Sequence, residues 1–389
     1  MSLSPCTVAG VVTHGCRSNL AERDALAALA PPGATVVNSC AVTAQAVRDA
    51  RAAVRAALPN GPVFVTGCAA TLMPGQFLDL GADIVPNALK LHPAAWKRGA
   101  GAPLAGVTRR SRAFVAIQDG CDHDCTFCVT RLARGSSRSV AVAEVVARVQ
   151  ALADAGVNEV VLTGIDATSY GADLSGRPSL GLLVQAVLGG VPRLRRLRLS
   201  SLDAAEADPA LVEAFADARL MPHVHLSLQS GDDLILKRMK RRHSRADAVR
   251  LVERLKAARP DIAIGADLIA GFPTEGEEGH ANSLSLLVAC DIVYAHVFPY
   301  SARPGTAAAR MPQVRSEISR ARAAALRLAG MQRKDAFLNN MLNKRIETVS
   351  EGVLGITPHG AKIRYRLFQL AGSIVSTVAA TLGDGMLAE

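Results

Sequence analysis

Along most of this chain, short runs in which apolar and polar residues alternate give way to longer segments where apolar residues recur every third or fourth position. The first period is that of a half-buried strand, the second that of an amphipathic helix. Over residues 7–100 the pattern predicts strands at Val8–Val12, Thr35–Asn38 and Pro62–Thr66, with helices at Asn19–Leu29 and Ala44–Leu58. This describes a small parallel α/β unit. A glycine- and alanine-rich stretch at 99–108 reads as a linker. From residue 113 to about 300 the repeat lengthens. Strands are expected at Phe114–Gln118, Glu159–Thr163, Leu194–Leu199, His223–Leu228, Ile262–Ile269 and Ile292–Val297. Helices are expected at Ala143–Ala155, 180–188, Arg245–Ala258 and Glu277–Ala289. Six β/α units of this kind make a parallel barrel, complete or open, whose active site forms at the C-terminal ends of the strands. One long basic helix follows at 315–344. The tail, 346–389, alternates in short segments such as Ile363–Phe368 and Ile374–Val378, a small β module.

Composition narrows the class. The 389 residues are 49% hydrophobic, much of it alanine, and no uninterrupted apolar run is long enough to span a membrane. The opening residues lack the basic start and apolar core of a secretory signal. The chain therefore reads as soluble and cytoplasmic, with no membrane partner. Disulfides are rare in that compartment, so eight cysteines point to metal or redox chemistry. The net charge of +10 is concentrated. Lys237, Arg238, Lys240, Arg241, Arg242 and Arg245 occur with no acid between them, and Arg303–Arg345 holds ten basic residues against Glu317 and Asp335. Such clusters fit a nucleic acid; solvated helix faces have the same composition.

The sharpest chemical signal is Cys121-Asp-His-Asp-Cys125-Thr-Phe-Cys128, three thiols on one loop at the expected C-terminal end of the first barrel strand. A four-iron cluster held by three cysteines keeps one iron open to an outside molecule. Two other readings fit the same residues: zinc with His123 as a fourth ligand, and three buried structural thiols. Cys16, Cys40 and Cys68 each follow a predicted strand or its turn in the N-terminal unit, so the fold would bring them to one edge. Three unrelated buried cysteines would leave the same trace. Cys6 and Cys290 have no such context and read as structural. Gly164, Ser200 and Gln229 fall at barrel strand ends, where they either meet a polar ligand or turn and cap the chain.

The motifs together resemble the radical S-adenosylmethionine methylthiotransferases. They are His14-Gly15-Cys16-Arg17-Ser18-Asn19, Asn38-Ser39-Cys40, Gly67-Cys68, Gln118 through Cys128, Arg134-Gly135-Ser136-Ser137-Arg138-Ser139, the His223–Gly231 segment and Phe298-Pro299-Tyr300-Ser301-Ala302-Arg303. The resemblance implies a flavodoxin-like N-terminal α/β domain over 1–105 and a partial (β/α)6 radical SAM barrel of the TIM type over 106–340. A short TRAM-like module, an RNA-binding β-barrel in the family, would occupy 341–389. It implies two [4Fe–4S] clusters, one on Cys121, Cys125 and Cys128 that binds S-adenosylmethionine, and an auxiliary one on Cys16, Cys40 and Cys68 that carries the sulfur. Phe127, Thr163, Gly164, Ser200 and Gln229 are then candidates for cofactor contacts. Lys237, Arg238, Lys240, Arg241, Arg242 and Arg303 are candidates for RNA. The chain looks most like the branch acting on N6-threonylcarbamoyladenosine beside the tRNA anticodon. The branches acting on isopentenyladenosine and on ribosomal protein S12 are alternatives within the enzyme class, and a zinc-containing RNA-binding protein is the alternative outside it. Implied partners are a tRNA anticodon loop, an electron donor such as a flavodoxin or ferredoxin, and a sulfur donor. The chain departs from the branch at Arg131-Leu132 and at Thr274-Glu275-Gly276, and its C-terminal module is short.

Overall fold

The computed structural model describes residues 6–8, 10–96, 111–205, 208–383 and 385–389. The linker expected at 99–108 lies outside them. The N-terminal unit runs β1 (Cys6–Val8), β2 (Val11–Thr13), α1 (Arg17–Leu29), β3 (Thr35–Ser39), α2 (Ala44–Ala57), β4 (Val63–Gly67), α3 (Cys68–Leu72), α4 (Gly75–Leu78) and β5 (Asp83–Ile84). The single strand expected over Val8–Val12 is instead two, paired antiparallel, because the chain turns at Gly10 with φ +87°. β2 to β5 are parallel and in sequential order. α1 covers one face through Leu26 and Leu29, while α2 covers the other through Val47, Ala50 and Val54. Helix α2 is amphipathic by sequence and is capped by the Thr43 hydroxyl, which accepts from the Ala46 N–H.

The central unit follows the β/α repeat. Its elements are β6 (Ala113–Asp119), α5 (Thr130–Arg134), β7 (Arg138–Ser139), α6 (Val142–Asp154), β8 (Glu159–Gly164), α7 (Leu180–Gly190), β9 (Arg196–Leu199) and β10 (Ser201–Leu202). They continue as α8 (Pro209–Ala214), β11 (His223–Gln229), α9 (Asp233–Arg238), α10 (Arg245–Ala258), β12 (Ala263–Ala270), α11 (Glu277–Ala289) and β13 (Ile292–Pro299). Parallel pairing joins β6, β8 and β9 in one sheet and β10, β11, β12 and β13 in another. The two sheets meet where β9 passes through Ser200 into β10. Strands β6 and β13 do not pair, so the barrel is open, and α1 packs on β6 and β8.

Alternation sorts the barrel residues. Val160, Leu162, Leu197, Leu199, Leu226 and Ile264 join the large core beneath the helices. The alternate positions turn inward and are polar: Glu159, Thr163, Arg198, Ser200, His225 and Asp267. Near the N-terminal ends of the strands Glu159 is fully buried, with Arg196 Nε at 2.9 Å, Arg198 Nε at 3.0 Å and Arg112 Nη1 at 3.6 Å.

The long helix α12 (Ser316–Asn339) leads to β14 (Arg345–Ser350), β15 (Leu354–Ile356), β16 (Lys362–Arg364), β17 (Ile374–Val378), β18 (Thr381–Gly383) and β19 (Met386–Ala388). The strand expected over Ile363–Phe368 is shorter, and Leu367 and Phe368 are exposed. This β module seals the N-terminal end of the barrel. Arg196 donates to the Ile356 carbonyl, and Arg198 to those of Thr357 and Pro358. No described helix is long and apolar enough to cross a membrane.

Candidate active site

Strands β2, β3 and β4 end in register, with Thr13 opposite Asn38 and Ser39 opposite Gly67. Cys40 follows β3 directly, Cys68 opens α3 straight after β4, and Cys16 precedes α1. All three thiols therefore lie at one sheet edge. Two glycines permit the crowding. At Gly15, φ +87°, a Cβ would sit 2.5 Å from the Cys40 sulfur, and at Gly67, φ +90°, it would run into the Ser39 carbonyl. Burial, reinforced by Cys16 and Cys68, pushes the Cys40 thiol up to about 12. Burial also raises Cys68, with Cys16 adding to the shift and Arg134 opposing it. Three convergent sulfurs suit iron and reject hard cations, and binding must displace their protons.

The second triad sits at the mouth of the barrel. Gly120, φ +75°, admits no side chain because a Cβ would collide with the Ser136 carbonyl. The Cys121 N–H donates to Gly135 O at 3.1 Å, and the Cys128 N–H to Cys125 O at 3.1 Å. Thr126 anchors the middle of the loop: its N–H donates to Met239 O, its hydroxyl to Arg238 O, and its carbonyl accepts from the Ala308 N–H. Burial pushes the Cys121 thiol up to about 12. Burial raises Cys125 as well, against the Arg241 guanidinium 3.6 Å from its sulfur. Cys128 is exposed. His123 is drawn to Asp166, with Nε2 2.6 Å from Oδ2. Among the described residues only Cys121 of the triad shares a ligand-distance group with His123, so the loop does not assemble a Cys3His zinc set.

The remaining candidates fall into place unevenly. The Thr163 and Ser200 hydroxyls are buried at strand ends and have no partner among the described residues, which fits a polar cofactor lying across them. Gly164 is explained by a protein neighbour: a Cβ there would press on Oε1 of Gln118 at 3.0 Å. Gln118 holds the loop by donating to Gly120 O at 2.8 Å and accepting from the Asp166 N–H at 2.8 Å. Gln229 has φ +69°, a left-handed conformation that costs a non-glycine residue about 1 kcal/mol or more and collects at functional sites. Phe127 stacks edge-on against Phe272, ring centroids 6.3 Å apart.

The basic cluster wraps the cysteine loop. Lys240 pairs with Asp124 at 2.6 Å, Arg241 with Asp203 at 2.6 Å, and Arg242 meets His123 at 2.6 Å. Arg238 donates to Thr274 Oγ1, while Lys237 is exposed. Arg303 donates to Val42 O at 3.0 Å, two residues from Cys40. Composition did not single out Arg134, which is among the largest fully buried side chains. It pairs with Asp119 at 2.6 Å, two residues before Cys121, binds Asn19 Oδ1 at 2.6 Å, and acts on Cys68. One guanidinium thus ties the two cysteine sites together. Its signal in the sequence is the Arg134-Gly135 pair shortly after Cys128.

The radical SAM superfamily model matches residues 115–287. The threonylcarbamoyladenosine tRNA methylthiotransferase MtaB of Rickettsia prowazekii is 41% identical over 366 residues, 88% of this chain and 87% of that protein. The chain belongs to the radical SAM methylthiotransferases. A tRNA-2-methylthio-N(6)-dimethylallyladenosine synthase of Maricaulis maris is 39% identical over 260 residues, covering 64% of this chain and 56% of that protein. Among solved structures, the radical S-adenosylmethionine methyltransferase TsrM of Kitasatospora setae shares the fold, with TM-score 0.54, 16% identity, and 75% and 68% of the two chains covered. As a radical SAM methylthiotransferase the chain presents both cysteine triads of that family, and their all-sulfur donor sets fit the two [4Fe–4S] clusters the family carries.

Proposed function

We propose that this protein transfers a methylthio group to C2 of N6-threonylcarbamoyladenosine, beside the anticodon of tRNA. The observation that supports the reading best is the pair of cysteine triads on two adjoining units, joined through Arg134. When bound, a cluster on Cys121, Cys125 and Cys128 with S-adenosylmethionine supplies radical hydrogen abstraction, and a cluster on Cys16, Cys40 and Cys68 supplies sulfur. The chain's own work is placement. Gln118 and Thr126 fix the Cys121–Cys128 loop. Thr163 and Ser200 offer free hydroxyls to the cofactor, and Arg303 braces the Cys40 loop. The target base lies in an RNA loop, where it can be unstacked and turned into the barrel mouth. Lys240 and Arg242 line the cleft beside Asp122 and His123, and with the exposed Lys237 they are candidates for phosphate contacts, which for Lys240 and Arg242 would compete with Asp124 and His123. Scarcity of aromatics, 4% of the chain, leaves stacking largely to arginine planes. The reaction calls for a one-electron donor such as a flavodoxin or ferredoxin, for a sulfur donor, and for residence in the cytoplasm with the tRNA.

The test is nucleoside mass spectrometry of tRNA from a deletion strain. The 2-methylthio form of threonylcarbamoyladenosine should disappear and its precursor accumulate. The wild-type gene should restore it, and a Cys121→Ala, Cys125→Ala, Cys128→Ala triple variant should not. Persistence of the methylthio nucleoside in the deletion strain would sink the assignment.

A further inference from the structure

Two relatives at 41% and 39% identity act on adenosines with opposite appended groups, one ending in a carboxylate and one wholly apolar. Their identities are close, and the inside of the barrel bears on the choice between them. Among the described residues the acids Glu159 and Asp267 are already matched there: Glu159, fully buried, by Arg112, Arg196 and Arg198, and Asp267, half-buried, by His225 at 3.0 Å and His296 at 3.5 Å. Among the described residues, Arg17 is a cation near these acids that pairs with neither. Arg17, directly after Cys16, opens α1, which packs on β6 and β8 beside the open seam of the barrel. Besides burial, its guanidinium feels repulsion from Arg112 and Arg198, only partly offset by attraction to Glu159 and Asp267 inside the barrel. Yet among the described residues nothing accepts from its buried Nη1, and it forms no ion pair. A guanidinium with a buried, unpaired nitrogen is costly unless a ligand anion completes it. His296, on the same inward row, is largely exposed, so the space beside Asp267 is open.

We propose that Arg17 binds the carboxylate of the threonylcarbamoyl group and selects this substrate over adenosines that are unmodified or carry an apolar group. The inference rests on the function proposed above. Arg17 adjoins the Cys16 site, so an anion held there lies beside that triad. An apolar group would leave the guanidinium unpaired, and a site built for a polar group rejects the analogue lacking it.

The cluster-loaded protein, in the presence of S-adenosylmethionine, would be titrated with anticodon stem-loops carrying threonylcarbamoyladenosine, its methyl ester, dimethylallyladenosine or plain adenosine. Wild-type protein should bind the free acid about ten-fold or more tightly than the other three, the range of a charge-assisted hydrogen bond. Arg17→Gln should erase that preference, and Arg17→Lys should keep part of it. Equal binding of acid and ester by wild-type protein overturns the inference without any variant. So does an Arg17→Gln protein that keeps its preference, or one whose affinity for S-adenosylmethionine falls, which would place the guanidinium on the cofactor's carboxylate. These outcomes leave the proposed function standing; wild-type protein that fails to methylthiolate threonylcarbamoyladenosine in tRNA sinks both.

Discussion

Single side chains decide whether each cysteine site can load. Burial, reinforced by neighbouring thiols and at Cys121 first by Asp166, holds Cys121 and Cys40 up to about 12, so both keep protons that a bound iron would displace. Replacing either one should cost one cluster and spare the other. Anaerobically reconstituted wild-type protein should carry about eight iron atoms per chain, and Cys121→Ala or Cys40→Ala about four. Iron analysis and visible absorbance check this, and a drop to none in both variants would mean the sites assemble only together. Arg134 is where such coupling would arise, because it pairs with Asp119 beside one site and acts on Cys68 in the other. Arg134→Gln leaves Asp119 without its buried cation and Glu22 with Lys90 alone, and should weaken loading of both clusters.

At the scale of elements, the turns that carry the cysteines are set by glycines whose missing side chains matter for different reasons. Gly120→Ala drives a methyl into the Ser136 carbonyl and should open the Cys121–Cys128 loop, losing that cluster while the auxiliary one stays. Gly156→Ala, at φ +85° with nothing near its Cβ, should cost only the left-handed conformation, roughly 1–2 kcal/mol, and leave iron content intact. Thermal unfolding and iron content separate the two cases. The same distinction explains what was legible in the sequence. Strands such as Glu159–Gly164 and helices such as Arg245–Ala258 follow from periodicity and lie within a residue of expectation. The N-terminal hairpin was missed because two three-residue strands around Gly10 carry too little pattern. Composition marks the basic run Lys237–Arg245 as a candidate RNA surface or a solvated helix face, and it cannot show that Asp124, Asp203 and His123 stand against Lys240, Arg241 and Arg242. Gln118 and Arg134 stand in recognisable motifs, but their roles are not legible there for a related reason: their partners are brought in by the fold across the barrel mouth and across the unit boundary.

Across the whole molecule, the C-terminal β module acts first as the floor of the barrel. Its Ile356, Thr357 and Pro358 carbonyls accept from Arg196 and Arg198, the same guanidinium groups that neutralise Glu159. Burial alone would raise the Glu159 carboxyl, but Arg198, Arg196 and Arg112 outweigh it and hold the group at about 2. A folded-state value below the unfolded one means that the stabilisation is complete above about pH 4.5 and is lost as pH falls toward 2, on the order of 3 kcal/mol in all. Wild-type protein should therefore lose melting temperature more steeply than Glu159→Gln through that window, and parallel curves would rule the linkage out. Removing residues 341–389 strips both arginines of their carbonyl acceptors and opens the barrel floor to water. Hydrogen bonds to charged groups contribute about 1.5–3 kcal/mol each, so losing three of them consumes much of a stability that is typically about 5–15 kcal/mol. The truncated chain should melt far below the full-length protein even without RNA. A module that served RNA alone would give the opposite result, an unchanged melting temperature with weakened tRNA binding, so thermal melts paired with stem-loop titrations tell floor from RNA clamp.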